Sequence, residues 1–251
     1  MTTKQVLQKV FTAVCLFFSL TTFSQLKQNT DKGSQISLVF NLKVGDAKVI
    51  PGYTYTNPFG ESYTLQKFRF YITQIQLLDS NDMSTQFFPD DYYLVAESDS
   101  TTQTITVPLA LKHITSISFL VGVDSIAAVS GTQTGALDPV NGMFWTWNTG
   151  YIMMKLQGTS PAAQVPGNAF SLDVGGFKEG ENAMRKMEFL TNAPKRQLIH
   201  NITLDVDVNK LFNGAYPIKL AEHPLCHEPG QLAMQLADNY ATMFSLQKVH
   251  K

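Results

Sequence analysis

The sequence predicts an all-β fold, an antiparallel β-sandwich of the immunoglobulin-like or a related kind, with one short helix near the C-terminus. Short runs that alternate between polar and apolar residues recur along the chain, and turn-forming residues separate them. The 251 residues include 17 Phe, 9 Tyr and 2 Trp. Aromatic and β-branched residues are enriched in strands, and many short strands at regular spacing are typical of sandwiches and barrels.

The N-terminal residues predict a secretory signal rather than part of the fold. Lys4 and Lys9 precede an apolar run over residues 10–20, and the small residues Thr22 and Ser24 stand at positions −3 and −1 of the expected cleavage site. A charged start, a short apolar centre and small residues near the end are typical of a cleaved leader. The run is about half as long as a membrane span. We therefore expect a signal peptide over residues 1–24, and a single exported domain over residues 25–251, periplasmic or extracellular, with no membrane span.

Period-two alternation predicts the strands, because successive side chains of a strand point to opposite faces. The predicted strands cover residues 36–42, 65–78, 92–95, 104–107, 114–123, 151–156 and 198–208. After Pro229-Gly230, the residues Leu232, Leu236, Tyr240 and Met243 recur at helical spacing, which predicts one helix between residues 231 and 244.

The run 198–208 predicts which of its residues face the core. Leu204, Val206 and Val208 share the predicted inward face with His200, whereas Asp205, Asp207 and Asn209 alternate with them on the predicted exposed face. The pairs Asp90-Asp91 and Asp205-x-Asp207 are interpreted as a solvated loop and an outer strand face, not as catalytic carboxylates.

Charge and motifs exclude several classes of function. The chain carries 19 Lys+Arg against 20 Asp+Glu, so its charge gives no general electrostatic attraction to nucleic acid or to an anionic membrane. The sequence has no Gly-x-Ser-x-Gly elbow, no phosphate loop, no dinucleotide fingerprint and no His-Glu-x-x-His helix. We therefore expect a protein that is not an enzyme and that does not bind nucleic acid.

One short segment has the donors of a metal site. His223-Pro224-Leu225-Cys226-His227 places two imidazoles and a thiol within five residues, and His200 and His250 are further candidates. Imidazole and thiolate are the donors that copper and zinc prefer. Two interpretations stay open at this point: a metal site, or a loop filled by Cys226 and His227 with His200 as an ordinary core residue.

The two tryptophans lie two residues apart, at Trp145 and Trp147. In an extended strand they would share one face of the sheet. Such a pair commonly packs in a core or an interface, and indole is also readily oxidised, so both a packing role and a redox role are open.

The segments Gly122-Val123-Asp124, Gly135-Ala136-Leu137-Asp138-Pro139 and Gly142-Met143-Phe144-Trp145-Thr146-Trp147-Asn148-Thr149-Gly150-Tyr151-Ile152 resemble a known family. It is the family of methanobactin-associated periplasmic copper proteins, here called MbnP-like. Weaker pieces in the same order include Gly175-Gly176-Phe177 and Ala237-Asp238-Asn239-Tyr240.

The resemblance implies an exported β-sandwich in which a partner, a dihaem peroxidase-like enzyme, converts a tryptophan to kynurenine, and the modified residue helps histidines to hold copper. Trp145 and Trp147 match the aromatic motif. However, Asp173 and Lys248 stand where relatives carry histidine. Copper binding is therefore weakened, lost, or moved to His223, Cys226 and His227 with His200 or His250.

The sequence thus predicts an exported, non-enzymatic copper-binding protein of copper acquisition or homeostasis that uses an oxidised tryptophan. The alternative is a metal-free secreted binding module that contacts a protein or a glycan through its aromatic loops.

Overall fold

The computed structural model describes residues 34–147, 150–194 and 198–250. The predicted signal peptide over residues 1–24 lies outside these residues. Within the described chain no helix is both long enough and apolar enough to cross a bilayer.

The described residues are mostly strands, which confirms the predicted all-β class. The strands are β1 Gln35–Val44, β2 Ala47–Lys48, β3 Thr54–Thr56, β4 Ser62–Asp79, β5 Ser84–Ala96, β6 Thr104–Pro108, β7 Ser116–Val121, β8 Phe144–Trp145, β9 Gly150–Thr159, β10 Ala169–Gly175, β11 Arg185–Leu190, β12 Asn201–Asp207, β13 Leu225–Cys226 and β14 Phe244–His250. The helices are α1 Ser125–Val129, α2 Asn209–Phe212 and α3 Gln231–Ala241, with 3₁₀ turns at Ser100–Gln103, Gly135–Leu137, Pro139–Asn141 and Pro166–Asn168.

The predicted helix near the C-terminus is confirmed as α3. The expectation of a single helix is wrong, because the short helices α1 and α2 are also present, and the strands β2, β3, β8, β10, β11, β13 and β14 are not among the predicted ones. Asp90 and Asp91 are exposed, as expected, but they lie in strand β5 rather than in a loop.

The strands form two curled sheets. In the first, the order is β14-β12-β1, and both β2 and β6 pair with β1. In the second sheet, the order is β11-β7-β4-β9-β10-β13. In addition, β3 and β5 pair with β4, and β8 pairs with β9. The immunoglobulin-like type of sandwich stays a prediction.

The prediction of purely antiparallel pairing is wrong at two places. β1 and β12 pair in parallel from Ser37 opposite Asn201 to Lys43 opposite Asp207, and β13 pairs in parallel with β10. Parallel neighbours need a long crossover connection instead of a hairpin. Most of the chain lies between β1 and β12. Alternation within a strand predicts where that strand lies, but it does not predict the direction of a partner strand so far away in the sequence.

The inner faces of both sheets share one core of aromatic and aliphatic side chains. At its centre, the Phe40 ring of the first sheet meets the rings of Phe70 and Phe119 of the second edge to face, at centroid distances of 6.0 and 5.7 Å. Edge-to-face geometry is preferred because the positive ring edge meets the negative ring face. The aromatic composition is therefore accounted for by the contact between the sheets.

Strand β12 confirms part of the predicted pattern and corrects the rest. Ile202, Leu204, Val206 and Val208 are fully buried, as predicted. The predicted exposure of Asp205 is wrong, since only 8% of the residue is accessible. The parallel neighbour β1 covers that face, and Asp205 accepts hydrogen bonds from Asn41 Nδ2 at 2.8 Å and Lys43 Nζ at 2.7 Å.

The first residues of the predicted run also differ from the expectation. The strand begins at Asn201, and before it Leu198 and His200 are exposed while Ile199 is buried. The predicted alternation begins at Leu198, three residues before the strand itself begins. His200 is therefore not the inward-facing residue that the alternation predicted.

We predict that Asp205→Asn destabilises the protein by about 1–3 kcal/mol, because it removes a charged acceptor from a partly buried ion pair. Burial by itself raises the pKa of Asp205, but the hydrogen bonds from Lys43 and Asn41 outweigh it and hold the pKa below its ordinary value of 3.8. A depressed carboxyl pKa stabilises the fold above the unfolded pKa, and this contribution is lost as the pH falls through the folded pKa.

Urea unfolding of the wild type and of Asp205→Asn at pH 7 and near pH 3 measures this difference. Leu204→Asp serves as the comparison, with an expected cost of several kcal/mol because it buries an unpaired charge. A variant as stable as the wild type at pH 7, or a difference that grows toward low pH, would contradict the assignment.

Candidate functional site

The segment between β7 and β9 covers the outer face of the second sheet. Tyr71 of β4 and Tyr151 of β9 point to that face, with ring centroids 6.0 Å apart. They form a second buried cluster with Val123, Leu137, Met143 and Trp145 of the covering segment. The second sheet is therefore apolar on both faces in this region.

Specific hydrogen bonds fix the covering segment on the sheet. The Tyr151 hydroxyl donates to the Leu137 carbonyl at 3.0 Å, and Arg69 Nη1 donates to the Asn141 carbonyl at 3.0 Å. Asp138 caps the turn that follows it by accepting from the Val140 N–H at 2.9 Å. Gly142 then adopts a left-handed conformation at φ 68°, which glycine tolerates best. The turn leads directly into β8 and the tryptophans.

The two tryptophans form an open pair instead of sharing a strand face. β8 ends at Trp145, and a turn places Trp147 in solvent. Trp145 is 6% accessible and Trp147 63% accessible. Their ring centroids are 5.7 Å apart and the planes meet at 40°. The expectation of a common face in an extended strand is wrong, because the strand is two residues long.

Trp145 packs directly against the backbone of β10. A Cβ added to Gly175 would lie 2.8 Å from Trp145 Cη2 and 2.7 Å from the Tyr151 carbonyl oxygen. The next residue, Gly176, has φ +131°, a conformation that other residues rarely adopt. The double glycine thus permits the close approach of the indole to the sheet.

A pocket of about 210 Å³ opens beside the tryptophan pair. Its lining includes four aromatic residues, two glycines and three charged residues. The lining residues are Trp145, Trp147, Gly150, Tyr151, Gly176, Phe177, Lys178, Glu181, Glu228 and Pro229.

The predicted donors Cys226 and His227 point in opposite directions. In β13, Cys226 lies beside Leu172 of β10, is 5% accessible and belongs to the main core, whereas His227 is exposed. Alternation along an extended chain separates adjacent side chains in this way. Burial, and secondarily the charge of Asp173, raises the pKa of the Cys226 thiol to about 12, so the thiolate that binds metals is suppressed.

The predicted histidine ligands are not gathered either. The backbone N–H of His200 donates to the His250 carbonyl at 3.1 Å on the first sheet. Cys226 belongs to the second sheet, and His223 is a half-buried turn residue whose N–H donates to the Lys219 carbonyl. Among the described residues no three His, Cys, Asp or Glu side chains are arranged to hold a metal ion.

Asp173 forms a buried ion pair and accepts further hydrogen bonds from neighbouring side chains. It is buried, and its carboxylate lies 3.3 Å from Lys155 Nζ and accepts from Gln157 Nε2 at 3.0 Å and from Ser171 Oγ at 3.1 Å. Lys248 is exposed on β14, opposite Thr203. An ion pair therefore occupies the β10 position where the resemblance implies a histidine.

The donor set around the tryptophans does not fit a soft copper ion. Glu181, Glu228 and Lys178 supply carboxylate and amine groups, whereas copper(I) prefers thiolate, thioether and imidazole. Sequence reasoning identified Trp145 and Trp147 but missed Tyr151, Phe177 and the two glutamates as their neighbours. The one available signal was Gly175-Gly176, a pair of adjacent glycines that ends a strand.

Comparisons with known proteins identify a family and a similar fold. A protein-family model described as MbnP matches residues 33–228. Among solved structures, the chain is similar to MbnP from Methylosinus trichosporium, with a TM-score of 0.58 and 14% identity over 85% of this chain and 98% of that chain. No curated protein matches the chain.

We predict that Gly175→Ala destabilises the fold by about 1–3 kcal/mol, because the added methyl group overlaps the indole of Trp145 and the Tyr151 carbonyl. Chemical denaturation and tryptophan emission measure the two effects. Gly180→Ala is the control, since Gly180 has φ +80° with open space around its Cβ position. It should cost about 1 kcal/mol and leave the emission unchanged. Identical emission changes in both variants would contradict the packing.

We also predict that the folded protein protects Cys226 from thiol reagents. With a pKa of about 12, the thiol should react at pH 8 at least about a hundredfold more slowly than in the unfolded chain. Peptide mass spectrometry after timed iodoacetamide labelling measures the rate, with His227→Ala as a control that should not change it. Rapid labelling of the folded protein would show that Cys226 is available as a ligand.

Proposed function

Because the chain belongs to the MbnP family, we propose that it is an exported, non-catalytic protein of copper acquisition or homeostasis, built on a β-sandwich scaffold. Its working site is the pocket at Trp145 and Trp147. The observation that carries the proposal is the pairing of a buried indole with an exposed one at the mouth of a single pocket.

The exposed indole is the accessible target for a partner enzyme. Trp147 is the more exposed of the two rings, whereas Trp145 is held between the sheet and the covering segment. We propose that the modified residue is Trp147 and that the enzyme is of the dihaem peroxidase type. In the conversion of indole to kynurenine, the enzyme would use two equivalents of peroxide as the oxidant, which cleave the C2–C3 bond and place one oxygen on each carbon, and water then releases C2 as formate. The product carries an aromatic amine and a ketone, two polar groups that the unmodified indole lacks.

The donor set limits what the unmodified chain does with copper. The carboxylates and the amine of the pocket are poor partners for a soft ion, and the predicted ligands His223, Cys226, His227, His200 and His250 are distributed over two sheets and a turn. We therefore propose that the unmodified chain has at most weak affinity for copper and that stable copper binding depends on the modification.

The second candidate is a metal-free binding module. It is favoured by the same lining, because aromatic rings with a few charged groups at a pocket are typical of sites for organic ligands. In this case the pocket contacts its ligand directly and no tryptophan is modified.

We predict that protein purified from its own cells under copper limitation is about 4 Da heavier, at the peptide containing Trp147, than recombinant protein made without the partner enzyme. Intact mass and peptide mass spectrometry, with copper content measured on the same samples, test this. Copper should accompany the mass gain and be absent from the recombinant protein.

Trp147→Phe should abolish both the mass gain and the copper, whereas Cys226→Ser should retain both. Unmodified tryptophans together with bound copper would reject the dependence on modification. Unmodified tryptophans without copper would favour the metal-free module.

A further inference from the structure

We propose that the tryptophan pocket binds an organic ammonium group, of the quaternary or methylated type, with its aromatic rings and two carboxylates. The inference rests on the proposed function only in taking this pocket as the working site. It concerns the unmodified chain and requires no metal.

The aromatic lining has the composition of a cation-binding cage. Trp145, Trp147, Tyr151 and Phe177 all border the pocket. The two indoles pack against each other, with centroids 5.7 Å apart and planes at 40°, so they form one continuous aromatic surface at the pocket. A cation within about 6 Å of a ring centroid is attracted by the negative face of the ring, most strongly for tryptophan, and quaternary ammonium groups are recognised by such cages.

The charges at the pocket favour a cation over an anion. Glu181 and Glu228 border it, against one cation, Lys178. Neither carboxylate takes part in the ion pairs found among residues 34–147, 150–194 and 198–250. The lining therefore has two acidic residues against one basic residue, a balance that favours a cation.

The size of the pocket fits a head group. Its volume of about 210 Å³ lies below the range of about 300–1,000 Å³ that is usual for drug-sized ligands. A trimethylammonium group is compact, presents methyl groups to the rings and cannot be satisfied by hydrogen bonds alone.

Titration of the recombinant protein with choline, followed by tryptophan fluorescence, tests the proposal. The matched probe is 3,3-dimethylbutan-1-ol, which has the shape of choline without its charge. Choline should quench or shift the emission in a saturable way at concentrations up to about 10 mM. The neutral probe should bind at least about fivefold more weakly, because it lacks the cation–π attraction.

Variants assign the effect to the pocket. Trp147→Leu and the double variant Glu181→Gln, Glu228→Gln should each weaken choline binding by about fivefold or more. Isothermal titration is used for Trp147→Leu, since one reporter ring is lost. Glu188→Gln, which removes an exposed carboxylate paired with Lys186 on β11, should bind choline as the wild type does.

Two sources of the same head group are distinguished by a second titration. A peptide that carries trimethyl-lysine is compared with its unmethylated form and with free choline. Tighter binding of the methylated peptide than of choline assigns the head group to a protein partner, and the reverse order assigns it to a small molecule; both support the ammonium site.

Equal binding of choline and 3,3-dimethylbutan-1-ol, or no saturable response to either choline or the methylated peptide, would overturn the proposal. These results would leave the proposed function untouched, because the mass gain at Trp147 and the copper content are measured independently on native protein. Conversely, choline binding by the recombinant protein, together with native protein that carries neither the mass gain nor copper, would support the site and reject the copper proposal.

Discussion

The second sheet carries apolar side chains on both faces, so both faces must be covered for these side chains to be buried. Phe70 of β4 faces the core between the sheets, and its neighbour Tyr71 faces the opposite side. Exposed to water, the outer patch around Tyr71 and Tyr151 would forgo the stabilisation from burial, about 1.5–3 kcal/mol for a large apolar side chain. The segment between β7 and β9 supplies the cover, and the pocket lies where that cover ends against β10. The pocket is thus a consequence of how the outer face of the sheet is covered.

The same sheet geometry separates Cys226 and His227, the adjacent donors in the densest donor cluster of the sequence. Two adjacent residues of an extended chain point to opposite faces, so the pairing of β13 with β10 sends Cys226 into the core and leaves His227 in solvent. Proximity along the sequence does not establish a common site. Asp173 makes the Cys226 thiolate still less available, because its charge raises the pKa of the thiol further. The Asp173 carboxylate is itself in an ion pair with Lys155.

Alternation within a strand could be read from the sequence, and contacts between distant strands could not. The burial of Leu204 and Val206 follows from period two alone. The burial of Asp205 depends on Asn41 and Lys43, which belong to a parallel strand far away in the chain. The tryptophans were recognisable as a motif, but their neighbours Phe177 and Glu228 come from other parts of the chain. A pair of glycines was the visible sign of the close contact at Trp145, without indicating which side chain it accommodates.

Trp145 and Trp147 have different physical roles. Trp145 fills the space above Gly175 and contributes to the outer cluster, so the fold accounts for it completely. Trp147 leaves most of its surface in water, and a fully buried aromatic ring removes about 150–250 Å² from solvent. Packing therefore gives little reason for an indole at position 147, where a smaller polar side chain would satisfy the turn. What Trp147 adds is a second ring at the mouth of a pocket that already contains the first one. A large aromatic surface held open beside charged groups is more readily explained by a ligand or an enzyme that contacts it than by the stability of the chain.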